Sequence, residues 1–444
     1  MLSTWFLSIA ILAFNVCALP FQSRSVPFPI SSHSTRLVRS RSSIQHSSAA
    51  LHNKLGGTSS SNITSELAGQ AFYANVFIGQ HSFNLILDTG SSDTWVVETG
   101  FQCQNISTYD NAAEADCGFA STYTRGKDFT QIPDENFYIA YADDSYGQGI
   151  VGYDKVTIAN ITVAKQEIGL VNETAWLGDN QTSGLIGLAY PVLTSAYNGT
   201  DPDEDYPFDN TSNFVYSPLM NTIFNVEKLA QPIFSMALSR NPATKGYGGL
   251  LTIGGIPDTT LPTVNSSSKF TTVPIQKTPD LLDDPVYAWY LINASFAIGK
   301  SHNQAPNTQV IIDSGTTLNY IPTHEAAAIN AMFDPPSFPD DQDGFYYVDC
   351  NATSPTTLGV TIAGTTFYLN PADLISRDAS EESDDEYDVP SQCVSAFQDG
   401  GLVSETYPGS YILGDPFMNN VLVVFDWGKE EISFASRVEY DVPQ

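Results

Sequence analysis

Leu85-Ile86-Leu87-Asp88-Thr89-Gly90-Ser91-Ser92 and Val310-Ile311-Ile312-Asp313-Ser314-Gly315-Thr316-Thr317 are two copies of one pattern in a chain of 444 residues. In each copy an aliphatic run ends in an aspartate. A hydroxyl residue, a glycine and a second hydroxyl residue follow. About a hundred residues beyond each copy stands an apolar pair closed by glycine. These are Leu185-Ile186-Gly187-Leu188 in the first half and Tyr411-Ile412-Leu413-Gly414-Asp415 in the second. The pattern implies a chain of two related halves. The texture around it is that of a β protein, with short β-branched and aromatic runs punctuated by Gly, Asn, Asp and Pro. Expected strands include Ala71 to Ile78, Phe83 to Leu87, Phe137 to Ala142, Gly152 to Ile158 and Val421 to Phe425. Helical patterning is sparse, with short candidates at Ser217 to Asn225 and His324 to Met332.

An aspartate at the end of an apolar strand points into a partly dry site, where its charged form needs donors. Thr89, Ser91, Ser314 and Thr316 supply hydroxyls beside the two carboxyls. Gly90 and Gly315 permit a tight turn and the close approach of a second backbone. If the two turns face each other, the carboxyls come within roughly 3 Å and cannot both ionise. The pair then shares one proton, so one carboxylate can activate a water while the other carboxyl protonates a carbonyl under attack. That chemistry hydrolyses a peptide bond with no cofactor and no metal. A single Asp-Thr/Ser-Gly is weak evidence; two copies with matching flanks and matching downstream partners are specific.

These motifs resemble the pepsin family of aspartic peptidases, particularly its fungal secreted branch, over about residues 70 to 436. The resemblance implies an all-β, bilobal acid-protease fold with two related barrel-like lobes and a cleft between them. It makes Asp88 and Asp313 the catalytic dyad, with Thr89 and Ser314 in a hydrogen-bonded grip beneath it. Ser91 and Thr316 become donors to the outer carboxylate oxygens. The stretch Tyr138-Ile139-Ala140-Tyr141-Ala142-Asp143-Asp144-Ser145 resembles the family's flap hairpin, with Tyr141 as the flap tyrosine and Trp95 as its buttress. Asp143 stands where some fungal members carry an aspartate that tolerates lysine on the P1 side of substrate. Two departures stand out: Gly79-Gln80-His81 is about two residues shorter than the usual turn before the first active strand, and Ala142 and Asp144 replace commoner flap glycines.

Composition and charge agree with an exported proenzyme. The apolar run Trp5 to Val16 ends in Val16-Cys17-Ala18 and reads as a signal peptide over residues 1–18. It is shorter than the roughly 20 residues a spanning helix needs, so no membrane anchor is expected. Residues 1–65 hold five basic residues and no acidic one, whereas the other 13 of the 18 basic residues face all 49 acidic ones. We therefore expect a removable basic propeptide over 19–65; the resemblance implies a propeptide lysine paired with the dyad, and Lys54 is the only lysine in that segment. A lobe carrying the flap is expected over 66–250 and a second lobe over 251–444. The expected partners are polypeptide substrates in the interdomain cleft and the chain's own propeptide, on a monomer. A net charge of −31 excludes nucleic acid as a partner.

With Cys17 removed, Cys103, Cys117, Cys350 and Cys393 remain. Three pairings are formally open, and the close spacings favour Cys103–Cys117 and Cys350–Cys393. Neither pair has C-x-x-C spacing or an adjacent histidine, which argues against zinc. Ten Asn-x-Ser/Thr sequons, among them Asn62, Asn105 and Asn210, suit a secreted glycoprotein. No His-Glu-x-x-His or Gly-x-Ser-x-Gly is present, so metallopeptidase and serine hydrolase readings lack a motif. The rival from another class is a protein of the same fold that binds peptides without cleaving them.

Overall fold

The computed structural model describes residues 57–67, 69–202, 205, 212–226, 229, 231–241, 245–278, 285–299, 308–340, 344–376, 392–401 and 411–438. The signal segment, the basic arm up to residue 56 with Lys54, the sequon at Asn210 and the acidic run 378–388 lie outside them.

Strand dominates, as the alternating runs require. Ala71–Ile78 forms as expected and pairs with His81–Asp88 from Tyr73↔Ile86 to Ile78↔His81. The connection is therefore a two-residue hairpin turn, Gly79-Gln80, with Gly79 at φ +61°. That geometry accounts for the short loop seen in the sequence. The expected helices form at Leu219–Val226 and Thr323–Asn330. Among the described residues no helix is long and apolar enough to cross a membrane.

Among the described residues the strands assemble into a 15-stranded sheet, an eight-stranded sheet and a four-stranded sheet. The largest sheet joins the two halves of the chain: Ile233–Leu238 pairs antiparallel with Val421–Asp426, bringing Phe234 opposite Phe425. Every residue of Val421–Asp426 is buried, in keeping with an apolar run from Val421 to Phe425 that does not alternate. The Phe234 and Phe425 rings stack at 4.4 Å. Each such fully buried ring contributes roughly 1.5–3 kcal/mol relative to exposure. The division expected at 250/251 falls inside strand Lys245–Ile253, and the processing boundary expected near 65 falls inside strand Ser59–Glu66. The latter lies between Ala71–Ile78 and Lys245–Ile253, antiparallel to both.

The two halves repeat one local arrangement. His81–Asp88 runs parallel to Gly184–Gly187, setting Leu87 beside Ile186 and Asp88 beside Gly187. Likewise Thr308–Ile312 runs parallel to Tyr411–Leu413, setting Ile312 beside Leu413. The apolar pairs downstream of each aspartate are thus the strands that flank it. Disulfides join Cys103 to Cys117 and Cys350 to Cys393, with Cα–Cα distances of 5.9 and 4.9 Å. Each staples a loop within one half.

Candidate active site

Each aspartate leaves its strand and is caught by its own turn. Gly90 N donates to Asp88 Oδ1 at 2.7 Å, and Gly315 N donates to Asp313 Oδ1 at 2.9 Å. The outer oxygens are held by hydroxyls: Ser91 Oγ donates to Asp88 Oδ2, and Thr316 Oγ1 donates to Asp313 Oδ2 at 2.6 Å. The residues between them cross over to the opposite half. Thr89 Oγ1 donates to the Ile312 carbonyl at 2.9 Å while accepting from Ser314 N at 2.9 Å. Ser314 Oγ donates to the Leu87 carbonyl at 2.7 Å while accepting from Thr89 N at 3.2 Å. Both hydroxyls are buried, and each is satisfied as donor and acceptor, so the crossed pair fixes the two turns face to face.

This grip turns the two carboxyls toward each other, each lying against the glycine of the opposite turn. The glycines are required for the approach. A methyl group on Gly90 would lie 2.5 Å from Asp313 Oδ2, and one on Gly315 would collide likewise with Asp88 Oδ1. Burial pushes the Asp88 carboxyl well above the usual carboxylate range, and the neighbouring Asp313 charge adds to it. Its donors from Ser91 and Gly90 oppose that rise.

The segment expected as a flap is the hairpin between strands Thr130–Ala140 and Tyr146–Ile158, closed by the pair Ala140↔Tyr146. At its tip Asp144 takes φ +67°, a conformation where glycine is commoner. Tyr141 reaches back so that Trp95 Nε1 donates to its hydroxyl at 2.8 Å. Trp176 packs edge-on against both, at 5.6 Å from Tyr141 and 5.3 Å from Trp95. Asp143 Oδ1 accepts from Ser145 N at 3.1 Å and from Ser145 Oγ at 2.6 Å. Burial raises its carboxyl above the ordinary value. The carboxyl also bears electrostatically on Tyr320 of the second half.

The structure adds groups beyond the sequence expectations. Asp93, fully buried, accepts from Ser195 N at 3.0 Å and from Tyr216 OH at 2.5 Å, while its Oδ2 has no partner among the described residues. Burial pushes its pKa up to about 6. Asp415, just beyond the second flanking strand, is buried with no partner for Oδ1 among the described residues, and burial raises it well above the usual range. The available signal was position: Asp93 directly follows the first aspartate motif, and Asp415 closes the downstream motif of the second half.

The comparisons agree with this geometry. A model of the eukaryotic aspartyl protease family matches residues 71–437. A protein described as a probable aspartic-type endopeptidase of Aspergillus fumigatus is 38% identical over 380 residues, which cover 85% of this chain and 81% of that protein. Rhizopuspepsin of Rhizopus chinensis is 27% identical over 82% of this chain and 78% of its own length. The crystal structure of an aspartic proteinase from Irpex lacteus covers 87% of this chain and all of its own with a TM-score of 0.65; at 20% identity it speaks for the fold alone.

Proposed function

The chain belongs to the eukaryotic aspartyl protease family and is a pepsin-like aspartic endopeptidase, and from that premise we propose that it is a secreted proenzyme cleaving polypeptides in acid through Asp88 and Asp313. The observation that carries this reading is the reciprocal grip of Thr89 and Ser314, which sets the two aspartate turns face to face. With one proton between them, the ionised carboxylate takes a proton from a bound water as its oxygen attacks the scissile carbonyl carbon. The protonated partner delivers its hydrogen to the carbonyl oxygen, so no charge accumulates on the tetrahedral intermediate. Collapse expels the amine, which leaves with a proton returned by the pair. Tyr141 and Trp95 close the site from above and exclude solvent.

The basic segment ahead of residue 66 suits a latency role, because an acidic cleft binds it at neutral pH and lets go as carboxylates protonate. The expected product is a monomeric, extracellular enzyme with no membrane anchor. Digestion of haemoglobin at pH 3 to 5, blocked by a statine-type transition-state mimic, is the expected result. A soluble, folded protein that binds the mimic but cleaves no protein across that range would favour the binding-only reading.

Asp143 sets a narrower expectation. A carboxyl in this segment would offer a charge partner for a substrate lysine, so peptides with Lys at P1 are expected to be cleaved alongside those with large apolar P1 residues. Asp143→Thr is expected to lower kcat/KM for the Lys peptide by about tenfold relative to its Phe counterpart. An unchanged Lys-to-Phe ratio would remove this role.

A further inference from the structure

Strand Val286–Ile298 belongs to the half that carries Asp313, yet three of its consecutive residues hold the loops around Asp88. The Ala288 carbonyl accepts from Tyr190 N at 3.2 Å. Trp289 Nε1 donates to the Gly90 carbonyl at 2.8 Å. Tyr290 OH donates to the Leu188 carbonyl at 2.5 Å, while accepting from Trp427 Nε1 at 2.8 Å. Leu188 N in turn donates to the Asp88 carbonyl at 2.7 Å. Tyr190 stacks on Trp427 at 4.7 Å and packs against Tyr290 at 5.5 Å, so the strand's grip on this loop is rigid.

The Trp289 bond falls at a decisive peptide. Gly90 N is one of the donors to Asp88, and the peptide that begins with the Gly90 carbonyl carries Ser91, whose hydroxyl is the other. Fixing that carbonyl fixes the plane of the Gly90–Ser91 peptide, and so the direction from which Ser91 Oγ reaches Asp88 Oδ2. We infer that Trp289 is a positioning residue for the reaction, which ties the hydrogen-bond shell of Asp88 to the lobe that supplies Asp313. The two carboxyls are thereby registered by a side-chain strut as well as by the Thr89/Ser314 grip. The inference rests on the acid–base reading of Asp88 given above. Titratable groups bearing on Asp88 are Asp313 and, from the flap, Tyr141.

Two variants of the acid-activated enzyme test it: Trp289→Phe, and Trp289 replaced by 3-benzothienyl-L-alanine, which keeps the bicyclic shape and exchanges the N–H for sulfur. Thermal melting checks that both fold. In both, kcat is expected to fall about tenfold, the size of one lost hydrogen bond in the reacting geometry, with KM moving less than about threefold. Weaker donation to the Asp88 carboxylate disfavours its ionised form, so the acidic limb of the kcat/KM profile is expected at higher pH. If the sulfur analogue keeps wild-type kcat and the wild-type acidic limb, or gains activity, the inference fails. Asp88→Asn, assayed beside it, separates the two claims: activity retained there overturns the acid–base reading itself, whereas an inactive Asp88→Asn with an unmoved Trp289 analogue overturns the strut alone.

Discussion

Asparagine in place of either Asp88 or Asp313 is expected to lower kcat by about 10⁴-fold, the upper end of what a positioned acid or base contributes. The substitution is conservative where it touches the fold. At position 88 the amide oxygen can still accept from Gly90 N, and the amide nitrogen can turn to Ser91 Oγ, which is free to accept. The glycine contacts are unchanged in size, so Gly315 still packs against the side chain at 88 and Gly90 against that at 313. What is lost is the titratable proton: an amide neither deprotonates water nor protonates a carbonyl at working pH. Because the two groups act as one unit, the double variant is expected to be no slower than either single one by more than a few-fold. Initial rates on a quenched fluorescent peptide at pH 4, with circular dichroism to confirm folding, decide the point. More than a tenth of wild-type kcat in either single variant would mean that the pair is not the reacting centre.

The features legible in the sequence were those written locally. Asp88 and Asp313 each close an apolar run, and the flanking strands Gly184–Gly187 and Tyr411–Leu413 each show as an apolar pair before a glycine. The two helices and the disulfide pairs were also readable, from short periodic stretches and close spacings. The polar sequence of Ser59–Glu66, by contrast, gave no strand signal. Its strand character comes from backbone pairing on both sides, to which side-chain patterning is blind. Trp289 was likewise invisible as a functional residue, because its one informative atom meets a carbonyl 199 positions away. Asp93 sits in plain view directly after the first motif. Its burial depends on Tyr216, brought beside it only by the tertiary fold.

Those buried carboxyls carry the second large expectation, that the folded enzyme is stable in acid and unstable near neutrality. Burial raises Asp93 from 3.8 to about 6 and Glu66 from 4.5 to about 7. It raises Asp88, Asp415 and Asp143 as well. A carboxyl whose folded pKa lies above its unfolded one binds more protons when folded, so stability declines as pH climbs between the two values. The favourable contribution is therefore complete below about pH 4 and is lost as pH passes through 6 and 7. For Asp93, fully enclosed, two pH units correspond to about 3 kcal/mol. The excess of acidic residues pushes in the same direction, since deprotonation near neutrality adds repulsion on a chain of net charge −31. Melting temperatures are accordingly expected to fall by several degrees or more between pH 4.5 and pH 7.5. Asp93→Asn distinguishes the buried group from surface repulsion. The amide keeps an acceptor for Ser195 N and Tyr216 OH but has no proton to lose, so its melting temperature is expected to fall less steeply over the same interval. A wild-type Tm that rises toward pH 7.5 would contradict the burial argument, and equal slopes for wild type and Asp93→Asn would assign the neutral instability to the surface instead.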